Sequence, residues 1–189
     1  MAEVLLVRHA AAGGQQASDA PLTAEGERQA EVLSDLLTEQ RVGRVICSPF
    51  LRAIQTIAPY CQRAGLEVEV EPRLVERVLS RDPVPDWREQ LRRTFDDLDH
   101  VLPGGESSRA AQRRAVVPLR EALASEQRCV LVTHGNLLAL LLKVLQPSIG
   151  YDDWQRMTNP DVYWVNEDAP GKAVIRRIWT DDLIARHHH

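Results

Sequence analysis

Nowhere in the 189 residues does the chain approach the roughly 18 consecutive apolar residues of a membrane-spanning helix, so no membrane association is expected. Cysteine is scarce and odd in number. Cys47, Cys61 and Cys129 do not make a disulfide framework, and three free thiols fit a reducing compartment, the cytoplasm. An excess of positive charge is also missing: 23 Lys and Arg stand against 27 Asp and Glu, a net −4. That balance argues against a nucleic-acid partner but leaves room for a local cationic pocket. The N-terminal stretch Met1-Ala2-Glu3-Val4-Leu5-Leu6-Val7-Arg8 lacks a signal-peptide layout, because its apolar run is short and follows Glu3. Internal repeats, linkers and low-complexity tracts are absent, as is any cluster of residues with metal-ligand spacing. The terminal His187-His188-His189 is set aside as a tag remnant or a native tail. The length fits one domain, residues 1–186.

What is present alternates between strand and helix signals. Residues 4–7 form a short continuous apolar run, as a strand buried on both faces does. Thr23 reads as an N-cap, with Glu25 and Glu27 in the first turn and Ala30, Leu33 and Leu37 on one face. Residues 42–47 read as a second buried strand. Ser48-Pro49 reads as the cap and first residue of a helix whose inner face is Leu51, Ile54, Ala58 and Cys61 and which Gly65 ends. Leu66, Val68 and Val70 alternate with glutamates, a strand with one wet face. Residues 77–103 are polar and read as a small lid-like insertion with a helix over 86–100. A further helix is expected over 106–125, a third buried strand over 129–132 and a central, almost wholly apolar helix after Gly135. Two last strands, 161–165 and 173–179, are joined by turn chemistry at Ala169-Pro170-Gly171. Repeated strand–helix units predict an α/β fold: three layers, α/β/α, around a mostly parallel central sheet.

In such a sheet ligands bind beyond the carboxyl ends of the strands. The residues found there are Arg8-His9 after the first strand, Ser48 to Arg52 after the second and Thr133-His134-Gly135 after the third. Two histidines and two arginines therefore converge at one edge. They make a cationic pocket suited to a phosphate dianion, in which a neutral histidine can attack phosphorus. A carboxylic acid is then needed to protonate the leaving oxygen.

The residues Leu6-Val7-Arg8-His9, Leu22-Thr23-x-x-Gly26-x-x-Gln29-Ala30, Ser48-Pro49-x-x-Arg52-Ala53-x-Gln55-Thr56 and Val132-Thr133-His134-Gly135 together resemble the histidine phosphatase superfamily, the branch shared with phosphoglycerate mutases. Gly104-Gly105-Glu106-Ser107 resembles its Gly-Glu-Ser segment. The resemblance implies that His9 is the phosphorylated nucleophile and that Arg8, Arg52 and His134 bind the phosphoryl group. Leu74-Val75-Glu76 is similar to the family's Leu-x-Glu segment, which makes Glu76 the proton donor, with Glu71 and Glu106 as nearby rivals. The family needs no metal and no cofactor. The reaction it implies is metal-independent hydrolysis of a phosphomonoester or phosphoramidate, on a small phosphorylated substrate or a phosphoprotein. A mutase and a silent phospho-ligand binder are the alternatives, and the oligomeric state is left open.

Two departures stand out. Ala10 replaces the family's usual glycine, yet its main-chain carbonyl can still fix the His9 tautomer. Ala11-Ala12-Gly13-Gly14-Gln15 stands where the mutase branch carries Glu-Ser and Trp-Asn, and this loop looks closer to small bacterial phosphohistidine phosphatases. Cys47 is not a cysteine-phosphatase nucleophile: Cys47 to Arg52 is Cys-x4-Arg, and that chemistry needs one residue more.

Overall fold

The computed structural model describes residues 3–14, 17–167, 172–180 and 182–183. The expected turn at 169–171 and the terminal histidines lie outside them. Six strands form one sheet: β1 (Glu3–Arg8), β2 (Arg44–Cys47), β3 (Val68–Val70), β4 (Cys129–Thr133), β5 (Asp161–Glu167) and β6 (Ala173–Arg177), in the order β3-β2-β4-β1-β5-β6. β3, β2, β4 and β1 are parallel, whereas β5 and β6 are antiparallel additions at one side. The mostly parallel α/β arrangement is as the strand–helix alternation predicts.

Alternation along each central strand sends side chains to two separate cores. Val4, Leu6, Ile46 and Leu131 face α4 (Ser108–Leu123), α5 (Gly135–Leu145) and the shorter α3 (Trp87–Asp96) and α6 (Tyr151–Gln155). Leu5, Val7, Val45, Cys47, Val130 and Val132 face α1 (Ala24–Glu39) and α2 (Leu51–Ala64). These are the three layers. α5 is buried along nearly its whole length, as its unbroken apolar sequence requires. At roughly 1.5–3 kcal/mol per large aliphatic side chain removed from water, these two cores are the main stabilising term.

Thr23 caps α1 by accepting from the Gly26 N–H at 3.1 Å, and Gly65, at φ 66°, ends α2 in the left-handed conformation that a helix C-terminus favours. Three expectations need correction. α2 begins at Leu51, not at Pro49, and no side chain caps it, because the Ser48 hydroxyl is turned to His134 instead. Its buried face is Arg52, Ala53, Thr56, Ile57, Tyr60 and Cys61, and Leu51 is exposed. The helix in the 77–103 segment stops at Asp96. There Asp97 offers its side-chain oxygen to the Asp99 N–H, a local bond that competes with further helix. That segment is tied inward by Leu91 and Phe95 and by the buried Arg77, which donates to Thr94 Oγ1 (3.1 Å) and Ser108 Oγ (2.8 Å).

Gly26 is fixed by close approach. A Cβ there would be driven into the main-chain oxygen of Ala11, in the loop that follows β1. Neither α1 nor that loop can give way cheaply, so Gly26→Ala is expected to cost on the order of 1–3 kcal/mol of folding stability, as overpacked sites do. For a chain of this size that lowers the thermal midpoint by roughly 2–4 °C per kcal/mol, readable by calorimetry; an unchanged midpoint would contradict the close packing of this loop.

Candidate active site

The site is assembled where β1, β2 and β4 end. His9 leaves β1 with its N–H bonded to the Thr133 carbonyl at the end of β4 (3.0 Å), and the residue is only 3% exposed. Nδ1 lies 2.7 Å from the Ala10 carbonyl oxygen. A carbonyl can only accept, so Nδ1 carries the proton and Nε2 keeps its lone pair. Arg52 donates its Nε–H to that lone pair at 3.2 Å. Burial pushes the His9 pKa down to about 3; the Ala10 bond opposes this, and the charges of Arg52 and Arg8 reinforce it. The ring is thus a neutral, oriented nitrogen nucleophile.

Neighbouring side chains hold the main chain around it. Thr56 Oγ1 accepts from the Ala10 N–H (2.9 Å) and donates to the Arg52 carbonyl (2.7 Å). Gln29 Oε1 accepts from Ala11 N–H (2.9 Å), and Asn159 donates its amide to the His9 carbonyl (2.8 Å). Ala10, where the family has glycine, packs its methyl against Leu22 and Ala30; among the described non-glycine residues the positive φ belongs to Arg41, so alanine fits here without strain.

The two arginines are buried, 9% exposed for Arg8 and 1% for Arg52, and burial lowers the pKa of both. Both remain cations, as guanidinium does in proteins. Arg8 Nη1 donates to the carbonyls of Met157 (3.1 Å) and Thr158 (3.4 Å), while its Nε has no partner. Its guanidinium lies against Gly135, where a Cβ would sit 2.9 Å from Nε. Arg52 Nη1 donates to the Ala17 carbonyl at 2.7 Å, and its guanidinium lies 4.8 Å from the Phe50 ring centre.

His134 is fully buried at the start of α5, its ring centre 5.1 Å from that of His9 and 4.9 Å from Phe50. Its Nε2 is 2.8 Å from Ser48 Oγ, and its Nδ1 has no partner. Burial, then the surrounding His9, Arg52, Arg114 and Arg8, hold its pKa well below the ordinary value. Glu76 accepts from the N–H groups of Asn136 (3.0 Å), Leu137 (2.9 Å) and Arg77 (2.9 Å), so its carboxylate satisfies donors at the N-terminus of α5. Arg8 and Arg52 both feel its charge. The rival carboxylates are engaged elsewhere: Glu71 pairs with Arg73, and Glu106 forms a fork with Arg114.

All five expected residues, Arg8, His9, Arg52, Glu76 and His134, therefore gather at one sheet edge. Sequence reasoning missed the residues that hold them. Gln29 and Thr56 stand in motifs that marked them without saying what they bond, and Ser48 was read as a helix cap. Asn159 carried no signal at all. Among the described residues no group of three His, Cys, Asp or Glu side chains could hold a metal ion, and no helix is long and apolar enough to cross a membrane.

The depressed His9 pKa ties stability to pH. Well above its ordinary value of 6.5 both folded and unfolded chains hold a neutral ring. Below it the unfolded chain takes up a proton that the folded ring refuses until about 3, so stability is full above that upper value and drains as pH falls through the window. Between about pH 7 and about pH 4.5 the wild type should lose roughly 2–3 kcal/mol more than His9→Gln, as measured by urea unfolding. An equal loss in both proteins would show that His9 titrates normally in the folded state.

The family model described as histidine phosphatase superfamily (branch 1) matches residues 4–179. The chain is 33% identical over 163 residues to a probable phosphoglycerate mutase GpmB of Yersinia enterocolitica, covering 77% of this chain and 75% of that one. Among solved structures, a mycobacterial glucosyl-3-phosphoglycerate phosphatase superposes with a TM-score of 0.74 at 22% identity, over 94% of this chain and 97% of that one. A phosphoserine phosphatase of Entamoeba histolytica superposes at 0.73 and 17% identity, over 97% of this chain and all (100%) of that one. These likenesses agree with the motifs and with the strand ends that carry them: the chain belongs to the histidine phosphatase superfamily, branch 1, whose members are phosphatases or mutases acting through phosphohistidine.

Proposed function

We propose that the protein is a metal-independent phosphatase that hydrolyses a phosphomonoester or phosphoramidate through a phosphohistidine on His9. The observation that carries this reading is the neutral, buried His9 ring, its Nε2 lone pair held by Arg52 while Nδ1 is spent on Ala10.

In the first step Arg52 Nε–H turns from His9 Nε2 to a phosphoryl oxygen, the freed Nε2 lone pair attacks phosphorus, the bond from phosphorus to the leaving oxygen or nitrogen breaks, and Glu76, in its acid form, supplies the proton to that atom. Arg8, Arg52 and His134 balance the charge on the non-bridging oxygens. The Nδ1–H bond to Ala10 stays in place while the new N–P bond forms. In the second step a water oxygen attacks phosphorus, Glu76 takes the water proton, and the N–P bond breaks, returning the lone pair to His9. The substrate's phosphoryl group leaves as inorganic phosphate, and Glu76 is ready to donate again.

Glu76→Gln keeps the shape and one acceptor oxygen, for the Arg77 and Leu137 N–H groups, but loses the second acceptor that Asn136 N–H uses and the transferable proton. It should slow alkyl phosphates by roughly 10²–10⁴-fold, the range of acid–base contributions, and p-nitrophenyl phosphate much less, since that leaving group needs little protonation. Equal slowing of both would remove Glu76 from the proton-donor role.

The mutase reading has one observation in its favour, the sequence similarity to a probable phosphoglycerate mutase. A mutase must return the phosphoryl group to bound product before water reaches it, which requires a closed pocket. The described residues after the nucleophile, Ala10, Ala11, Ala12, Gly13 and Gly14, offer no polar side chain to grip a second substrate group. With 3-phosphoglycerate and a 2,3-bisphosphoglycerate primer, phosphate release is therefore expected to outpace formation of 2-phosphoglycerate. Isomerisation far faster than phosphate release would assign the protein to the mutases instead.

A further inference from the structure

We propose that Ser48 is a positioning residue that selects the tautomer of His134, placing that ring's proton on Nδ1 so that it donates to a phosphoryl oxygen. The inference rests on the phosphoryl-binding reading of the site.

Ser48 directly follows β2, is fully buried, and does not cap α2. Its hydroxyl oxygen lies 2.8 Å from His134 Nε2 and accepts the Phe50 N–H at 3.4 Å. A hydroxyl has one proton to give. If Ser48 accepted from both Phe50 and an Nε2–H, its own proton would be stranded inside the protein, at the cost of an unmade buried hydrogen bond. If it donates to Nε2, its own bonding is complete: one N–H accepted, one proton given. Nε2 is then the unprotonated nitrogen, and since burial and the neighbouring cations keep the ring neutral, its single proton is on Nδ1.

Nδ1 is the atom with no partner in the protein, although the ring is fully buried. It faces the same requirement as the unpartnered Arg8 Nε: a buried donor needs an acceptor, and the ligand this cationic pocket suits is rich in them. With the opposite tautomer, Nδ1 would present a lone pair to a dianion and repel it. The two imidazoles, 5.1 Å apart, then have opposite jobs set by opposite locks. The Ala10 carbonyl holds the His9 proton on Nδ1 and frees Nε2 to attack; the Ser48 hydroxyl occupies Nε2 of His134 and frees Nδ1–H to bind.

The test is a ¹⁵N–¹H correlation spectrum of histidine-labelled protein, with inorganic phosphate as the probe ligand. Wild-type His134 is expected as the Nδ1–H tautomer, and Ser48→Ala should shift it towards Nε2–H. The same variant should weaken phosphate binding roughly tenfold, the size of one charge-assisted hydrogen bond, and raise KM more than it lowers kcat. Ser48→Thr, which keeps the hydroxyl, should restore both the tautomer and the affinity. A wild-type spectrum with His134 as Nε2–H overturns the assignment without any variant having to fold. So does a Ser48→Ala protein whose tautomer and phosphate affinity are unchanged. A wild type that binds no phosphate, while His134 is Nδ1–H, overturns the functional reading and the donor role with it but leaves the serine's control of the ring intact.

Discussion

The 2.7 Å bond from His9 Nδ1–H to its neighbour's carbonyl is the constraint on which the rest of the site depends. It decides which nitrogen keeps its lone pair, and burial decides that the ring is neutral, so that pair is held on Nε2, where the Arg52 Nε–H caps it. Nothing at the next position's side chain is needed for this, since the acceptor is main chain. Hence alanine serves where relatives of this kind carry glycine, provided its methyl has a place to go, which Leu22 and Ala30 supply. What must be controlled is the path of the main chain. Thr56, Gln29 and Asn159 each bond to it within two residues of the nucleophile.

A second constraint is electrostatic. Arg8 and Arg52 are taken out of water at a desolvation cost of several kcal/mol each. Several arginines at the surface are matched by carboxylates, as in the forks of Arg44 with Glu69 and Arg109 with Asp99. In the pocket, Arg8 Nη1 and Arg52 Nη1 give their protons to main-chain carbonyls. A carbonyl fixes a guanidinium in place without cancelling its charge. The field of the two cations is thus kept for the incoming group, moderated by Glu76 and by the fully buried Asp161 beyond Arg8. The architecture makes this possible: β1 lies between β4 and β5, so Arg8 stands opposite Thr133 on one side and Asp161 on the other.

The fold was largely legible in the sequence because the central strands are continuous apolar runs and α5 is apolar all round, signals that only complete burial produces. Thr23 and Gly65 marked true helix ends because capping is a local matter. Prediction failed where the site overrode the local rule. The inner face of α2 was read as Leu51, Ile54, Ala58 and Cys61; Cys61 is buried and Ile54 packs against the same core, but the helix also buries Arg52 and Thr56, which serve the catalytic edge, and leaves Leu51 exposed. Ser48 failed in the same way, drawn from a helix cap to a histidine 86 residues further along the chain. Hydrophobic periodicity cannot report a polar residue buried for its chemistry. Motif order could mark Arg8, His9, Arg52 and His134, but it could not show that Asn159 reaches across to the His9 carbonyl, because that contact exists only once β5 has paired with β1.

The central claim is that phosphorus becomes bonded to His9 Nε2 during turnover. Rapid quenching of the enzyme in alkali during hydrolysis of a ³²P-labelled phosphomonoester, followed by peptide mapping, tests it directly. The expected result is an acid-labile, alkali-stable label on the peptide containing His9, linked through Nε2, chased by unlabelled substrate at the rate of turnover and absent from His9→Ala. Steady turnover with no labelled histidine, or with the label on His134, would contradict it.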